Sequence, residues 1–138
     1  IGDQTAEEIK IAVGSAVPLE NELKYKIKGR DFLTGLPRSI EISSNEILKA
    51  IEGELRESMK AIKNDLHEKP PELSSDIFAH GISMSGGGSL LRNICELVYQ
   101  STGVRAHLVE EPLFAVAKGT GIALEHLDSY KRGIISKR

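Results

Sequence analysis

In this 138-residue sequence the residue types best suited to chemistry are Gly86-Gly87-Gly88-Ser89. Three adjacent residues without Cβ let a chain turn sharply and let a ligand lie against bare peptide. The apolar run Ile82-Ser83-Met84-Ser85 precedes them and a helical pattern starts at Leu90, so the segment reads as strand, turn and helix. A helix N-terminus offers unpaired N–H groups and the positive end of a dipole, which favours a phosphate or a ribose hydroxyl. Ligands of parallel sheets sit beyond the carboxyl ends of the strands, where these glycines fall. The same glycines also suit a tight, closely packed turn with no ligand, and the pattern alone leaves both readings open. The spacing is not a Walker A loop, because no Gly-Lys-Ser/Thr follows, and it is not the dinucleotide fingerprint.

Other reactive residues are less organised. Glu7 and Lys10 are spaced to share one helix face, where they read as a solvated pair. His67, His80, His107 and His126 are scattered without metal-ligand spacing. Cys95 shares a helical stretch with Ile94 and Leu97 and reads as a reduced, partly buried thiol. Ser85 and Ser89 have no evident His or Asp partner, which argues against a serine hydrolase. Lys24, Lys26 and Lys28 alternate with apolar residues, a pattern that a half-covered strand explains without nucleic acid.

The elements that must position these residues follow from periodicity. Thr5 and Glu8 are spaced as a capping box for a first helix that Gly14 and Pro18 end. Residues 23–28 and 38–43 alternate as two antiparallel strands, with a loop around 32–37. Ser43 and Glu46 again fit a capping box, and Ile47, Leu48, Ile51, Leu55, Met59, Ile62 and Leu66 trace one stripe of a helix over about 44–67. Pro70-Pro71 stops it, and residues 73–78 read as a short helix or irregular connection. The rest alternates: a strand over 82–85, a helix over 90–100 with Leu90 and Leu91 inward, a strand over 104–109, and a helix over 113–127. That order implies a parallel βαβ unit. Gly119 and Gly121, among alanines in the last helix, are read as sites of close helix packing. Residues 129–138 read as a basic tail. The fold class is therefore α/β: an α+β antiparallel lobe with a long helix, then a βαβ half.

Composition sets the limits. A chain of 15.1 kDa with 40% hydrophobic and 28% charged residues has the size and balance of one ordinary globular domain. A net charge of −2 gives no general attraction to nucleic acid or to anionic membranes. One cysteine excludes an intrachain disulfide, and no stretch is apolar for long enough to cross a bilayer. The sequence opens on Ile1-Gly2 without an initiator Met, as a piece of a longer protein does.

Ile82-Ser83-Met84-Ser85-Gly86-Gly87-Gly88-Ser89-Leu90-Leu91 resembles the adenosine motif of the actin, Hsp70 and hexokinase superfamily. Four further stretches narrow the likeness to the MreB family of bacterial actin homologues. They are the run from Ile1 to Lys10, Gly29-Arg30-Asp31-Phe32-Leu33-Thr34-Gly35-Leu36-Pro37, Pro70-Pro71-Glu72-Leu73-Ser74-Ser75-Asp76-Ile77, and Glu111-Pro112 through Gly121. Together they span nearly the whole chain in the family's order.

The resemblance implies the C-terminal part of domain II of an actin-like ATPase. Residues 1–14 would be a helix of subdomain IIA leading into a subdomain IIB-like lobe over 15–69, and residues 70–128 would form part of subdomain IIA. It implies ATP as the nucleotide, with Gly86, Gly87, Gly88 and Ser89 on its adenosine side and nearest phosphate. Glu7 and Lys10 would flank adenine and ribose. It further implies self-association into filaments at the inner face of the cell membrane, and membrane-bound cell-shape partners such as RodZ. Nucleic acid is not an implied partner. Mg²⁺, the β- and γ-phosphate hairpins and the water-positioning residue would come from outside this chain, so the chain alone is expected not to hydrolyse ATP. The alternatives from other classes are a small-molecule kinase of the same superfamily and an interaction module with purely structural glycines.

Overall fold

The computed structural model describes residues 1–128 and 130. The expected basic tail lies outside the described residues, apart from Tyr130. Helix α1 spans Asp3–Val13. Strands β1 (Lys24–Arg30) and β2 (Pro37–Ser43) form an antiparallel pair in which Lys24 faces Ser43 and Arg30 faces Pro37. Helix α2 covers Ser44–Glu68 and α3 covers Pro71–His80. Strand β3 (Ile82–Met84) pairs in parallel with β4 (Ala106–Leu108), and α4 (Ile94–Thr102) links them. Helix α5 spans Ala115–Glu125. This is the expected order of an antiparallel lobe, a long helix and a βαβ half.

The α2 cap forms as its sequence requires. The Glu46 N–H donates to Ser43 Oγ at 3.3 Å, and the Ser43 N–H donates to Glu46 Oε2 at 2.7 Å. The expected box at Thr5 and Glu8 does not form. Helix α1 starts three residues earlier, from an extended Gly2, which places Thr5 inside the helix. A cap needs non-helical backbone, and Thr5 does not have it.

Two small cores hold the chain together. In one, Ile9 and Val13 of α1 pack on Ile27 of β1, with Tyr25 and Ile42 at the margin. In the other, Met59 of α2 meets Ile94 and Val98 of α4 over the sheet residues Ile82, Met84 and Ala106. Alternation along β1 is as expected, with Lys24, Lys26 and Lys28 exposed and Ile27 buried. Among the described residues no helix is long and apolar enough to cross a membrane.

Candidate functional site

Behind β3 the helix expected over 90–100 does not begin at Leu90. Gly87–Leu90 is a single 3₁₀ turn, and α4 begins only at Ile94. The break lies at Asn93, whose left-handed backbone (φ 59°, ψ 18°) cannot continue a helix. Leu90 is consequently exposed rather than inward. The groups available behind the strand are therefore the N–H groups of a short glycine turn and not the first turn of a long helix.

That turn is tightly held. Gly86 has φ 85° and ψ 170°, a region open essentially to glycine alone. Its N–H donates to the Pro112 carbonyl at 2.8 Å, and the Val109 N–H donates to the Met84 carbonyl at 3.0 Å. These bonds set the turn after β3 beside the turn after β4, at the carboxyl edge of the parallel pair. Ser89 is 4% exposed, and its Oγ donates to the Gly86 carbonyl at 2.7 Å, so its hydroxyl closes the loop from within.

A Cβ built on Gly88 meets no atom within 4 Å, and one on Gly87 makes only ordinary contact with Leu113. Packing among the described residues therefore does not require glycine at either position. Both residues are exposed at the loop surface.

Glu7 and Lys10 form an exposed ion pair on α1, with Nζ to Oε1 at 3.0 Å. Among the described residues no hydrogen bond or ion pair joins either of them to residues 86–89. The two elements are nevertheless fastened together. Ser15 bridges Arg92, the Ala16 N–H donates to the Arg92 carbonyl at 2.8 Å, and Asn93 Nδ2 donates to Ser15 Oγ at 3.3 Å. Gly14 makes this junction possible, since a Cβ there would run into the Lys10 carbonyl and crowd Leu91. The sequence reading missed this fastening; the available signals were an Asn suited to left-handed backbone and a Gly-Ser at the end of α1.

At the far end of the lobe, the 31–36 loop projects Phe32 (99% exposed) and Leu33 (92% exposed). These side chains do not fold back onto the lobe. Asp31 organises the loop by accepting from the N–H groups of Leu33 and Thr34, from the Thr34 hydroxyl and from Arg38. The Thr34 backbone bond first, then the Thr34 hydroxyl and Arg38, hold its carboxyl below the usual 3.8.

The remaining reactive groups are quiet. Cys95 Sγ rests 3.9 Å from Met84 Sδ, and His107 Nε2 shares a 2.9 Å hydrogen bond with the exposed Ser83 hydroxyl. Among the described residues no group of three or more His, Cys, Asp or Glu converges to hold a metal ion.

Comparison with known proteins identifies the frame around this site. Residues 1–132 match the family model described as MreB/Mbl protein. The chain is 40% identical over 137 residues to the cell shape-determining protein MreB of Escherichia coli K12, covering 99% of this chain and 40% of that protein. It is 37% identical over 136 residues to the cell shape-determining protein Mbl of Bacillus subtilis 168, covering 99% of this chain and 41% of that one. The crystal structure of MreB5 of Spiroplasma citri bound to ADP superposes with a TM-score of 0.87 at 33% identity, over 96% of this chain and 40% of that one. The AMPPNP-bound structure of the same protein gives 0.86 at 32% identity, over 98% of this chain and 40% of that one. The chain thus spans about two fifths of the length of these relatives.

Proposed function

From the premise that this chain belongs to the MreB/Mbl family of actin-like cell-shape proteins, we propose that its 86–89 turn is one wall of an ATP site. One observation carries the reading: Gly88 is glycine at an exposed position where packing among the described residues does not demand one. Bare peptide at that point suits the close approach of a nucleotide, and the solved relative is nucleotide-bound. Gly87 and Gly88 present backbone N–H groups to the adenosine side and nearest phosphate, Gly86 adds its bare backbone to the same wall, and Ser89 keeps their geometry. Glu7 accepts from ribose hydroxyls, and the Lys10 stem covers the base. Mg²⁺ would be held through residues outside this chain and would balance phosphate charge.

In this reading residues 15–69 form a IIB-like lobe, while residues 1–14 and 70–128 belong to a IIA-like part. The intact protein assembles into filaments at the inner face of the membrane, with membrane-bound partners such as RodZ, and there organises cell-wall synthesis. The Phe32 and Leu33 tip supplies a contact between protomers, because an ordered apolar loop so fully exposed suits a surface that becomes buried.

Nucleotide titration of the intact protein tests the site. Gly88→Val is expected to leave the melting temperature unchanged and to weaken ATP binding at least tenfold. Wild-type ATP affinity in this variant would remove the ligand role of the turn. For the tip, Phe32→Ser with Leu33→Ser is expected to abolish ATP-dependent pelleting without altering nucleotide affinity. Unchanged pelleting assigns the tip another role.

A further inference from the structure

A groove of about 950 Å³ runs between α2, α4 and residues 16–18, separate from the nucleotide turn. Its floor is apolar: Leu48, Leu55 and Met59 from α2, and Leu97 from α4. Along one rim stand Lys49, Lys60 and Lys63, all exposed, and no ion pair engages any of them among the described residues.

The acids lining the same groove are already occupied. Glu52 binds Arg56 at 2.8 Å, and Glu22 accepts from Asn45 at 3.0 Å. Hydrogen bonds from Ser43 and then Asn45 hold the Glu22 carboxyl below its usual range. Glu54 and Glu57, also on α2, do not line the groove. Lys49 also attracts the Glu22 carboxylate, and with Lys49, Arg56, Lys60 and Lys63 set against Glu22 and Glu52 the charge around the apolar floor is on balance positive.

From these features we infer that the groove is a docking site for an acidic amphipathic helix from another protein. Three arguments select that occupant. Lys49 and Lys63 lie 14 residues apart on one helix, about 21 Å, which matches a partner helix of roughly four turns. An apolar stripe flanked by cations is the complement of an apolar stripe flanked by carboxylates, the helix-in-groove mode of recognition. A second copy's exposed hairpin tip is the wrong match, because Lys28, Arg30 and Arg38 surround it and Asp31 is its one acid. Two cationic surfaces do not seat on each other.

The probe is a labelled 15-residue amphipathic peptide with Leu on one face and Glu on the other, compared with its Lys counterpart. Fluorescence anisotropy against the intact protein is expected to show binding of the Glu peptide only, weakening as salt rises. Triple reversal of Lys49→Glu, Lys60→Glu and Lys63→Glu is expected to reduce that affinity at least roughly tenfold and to create binding of the Lys peptide. Reversal at Lys49 faces Glu22 and Glu52, so the neutral triple Lys49→Gln, Lys60→Gln and Lys63→Gln, expected to keep the melting temperature, is read beside it and must also weaken binding of the Glu peptide. Absent binding of the Glu peptide, equal binding of both peptides, or wild-type affinity in the triple variant each overturns the inference. Self-association of the chain that the triple reversal abolishes would instead put a second copy in the groove and overturn it as well.

Discussion

Helices α4 and α5 each follow a strand of one parallel pair, yet their surroundings are opposite. Helix α4 buries Ile94 and Val98 between the sheet and Met59 of α2, and Val98 is 0% exposed. Helix α5 buries no residue; Val116, Ile122 and Leu124 stand in the open, and a Cβ on Gly119 or Gly121 meets nothing within 4 Å. Close packing at those two glycines, expected from their alanine-rich setting, is therefore absent among the described residues. Lys118 and Glu111 pair at the start of α5 without giving it a floor. Both helices are rich in apolar residues, so composition does not decide burial. A second layer does, and among the described residues α2 supplies it to the core of α4 while α5 buries nothing.

The contrast is open to direct tests, the largest effect first. Ile94→Ala removes buried contacts in the α4 core and is expected to cost about 2–5 kcal/mol in denaturant unfolding. Gly86→Ala forces a side chain into a backbone region reserved for glycine, just ahead of α4, and is expected to cost about 1–3 kcal/mol. Ser43→Ala strips the cap from the helix that covers α4, and a loss of about 1 kcal/mol is expected in the same assay. Ile122→Ala on α5, at a residue 52% exposed, is expected to change stability by less than about 0.5 kcal/mol. A loss at Ile122 as large as that at Ile94 would break the comparison.

The smallest effect belongs to acid. The folded-state pKa of Asp31 lies below its unfolded value, so its contribution is complete above the unfolded value and is lost as pH falls through the folded one. The protection of the Leu33 and Thr34 amides, relative to the intrinsic exchange rate at each pH, is expected to stay constant from neutral pH down to the ordinary carboxylate range and to fall only below it. Loss of protection already near neutral pH would separate loop order from the Asp31 charge.

Periodicity and capping chemistry in the sequence carried most of the fold. The hairpin, α2 with its Ser43–Glu46 box, and the strand–helix–strand order that gives the parallel pairing are all short-range signals, and the chain obeys them. The misses came where a residue answers to distant partners. Leu90 sits in an apolar run that reads as helix, but Asn93 turns left-handed where it bonds to Ser15, and the helix gives way to a 3₁₀ turn. Thr5 had the right spacing for a cap, yet Gly2 was extended and the helix began there. Of the site, the glycines were legible, but the Gly86–Pro112 and Asn93–Ser15 bonds were not, because no periodicity links positions so far apart.

The Ser15–Asn93 bond joins residues 78 apart in sequence. The lobe and α2 thus lie inside one large loop that must close before the glycine turn acquires its downstream anchor. Closing such a loop carries an entropic cost that grows with the logarithm of its length, and contacts of this range slow folding. The hairpin and α2, built from local pairings, can order early, whereas the turn is fixed among the last events. Refolding should therefore restore helical signal before the turn, with a lag set by that closure rather than by the chemistry of the glycines.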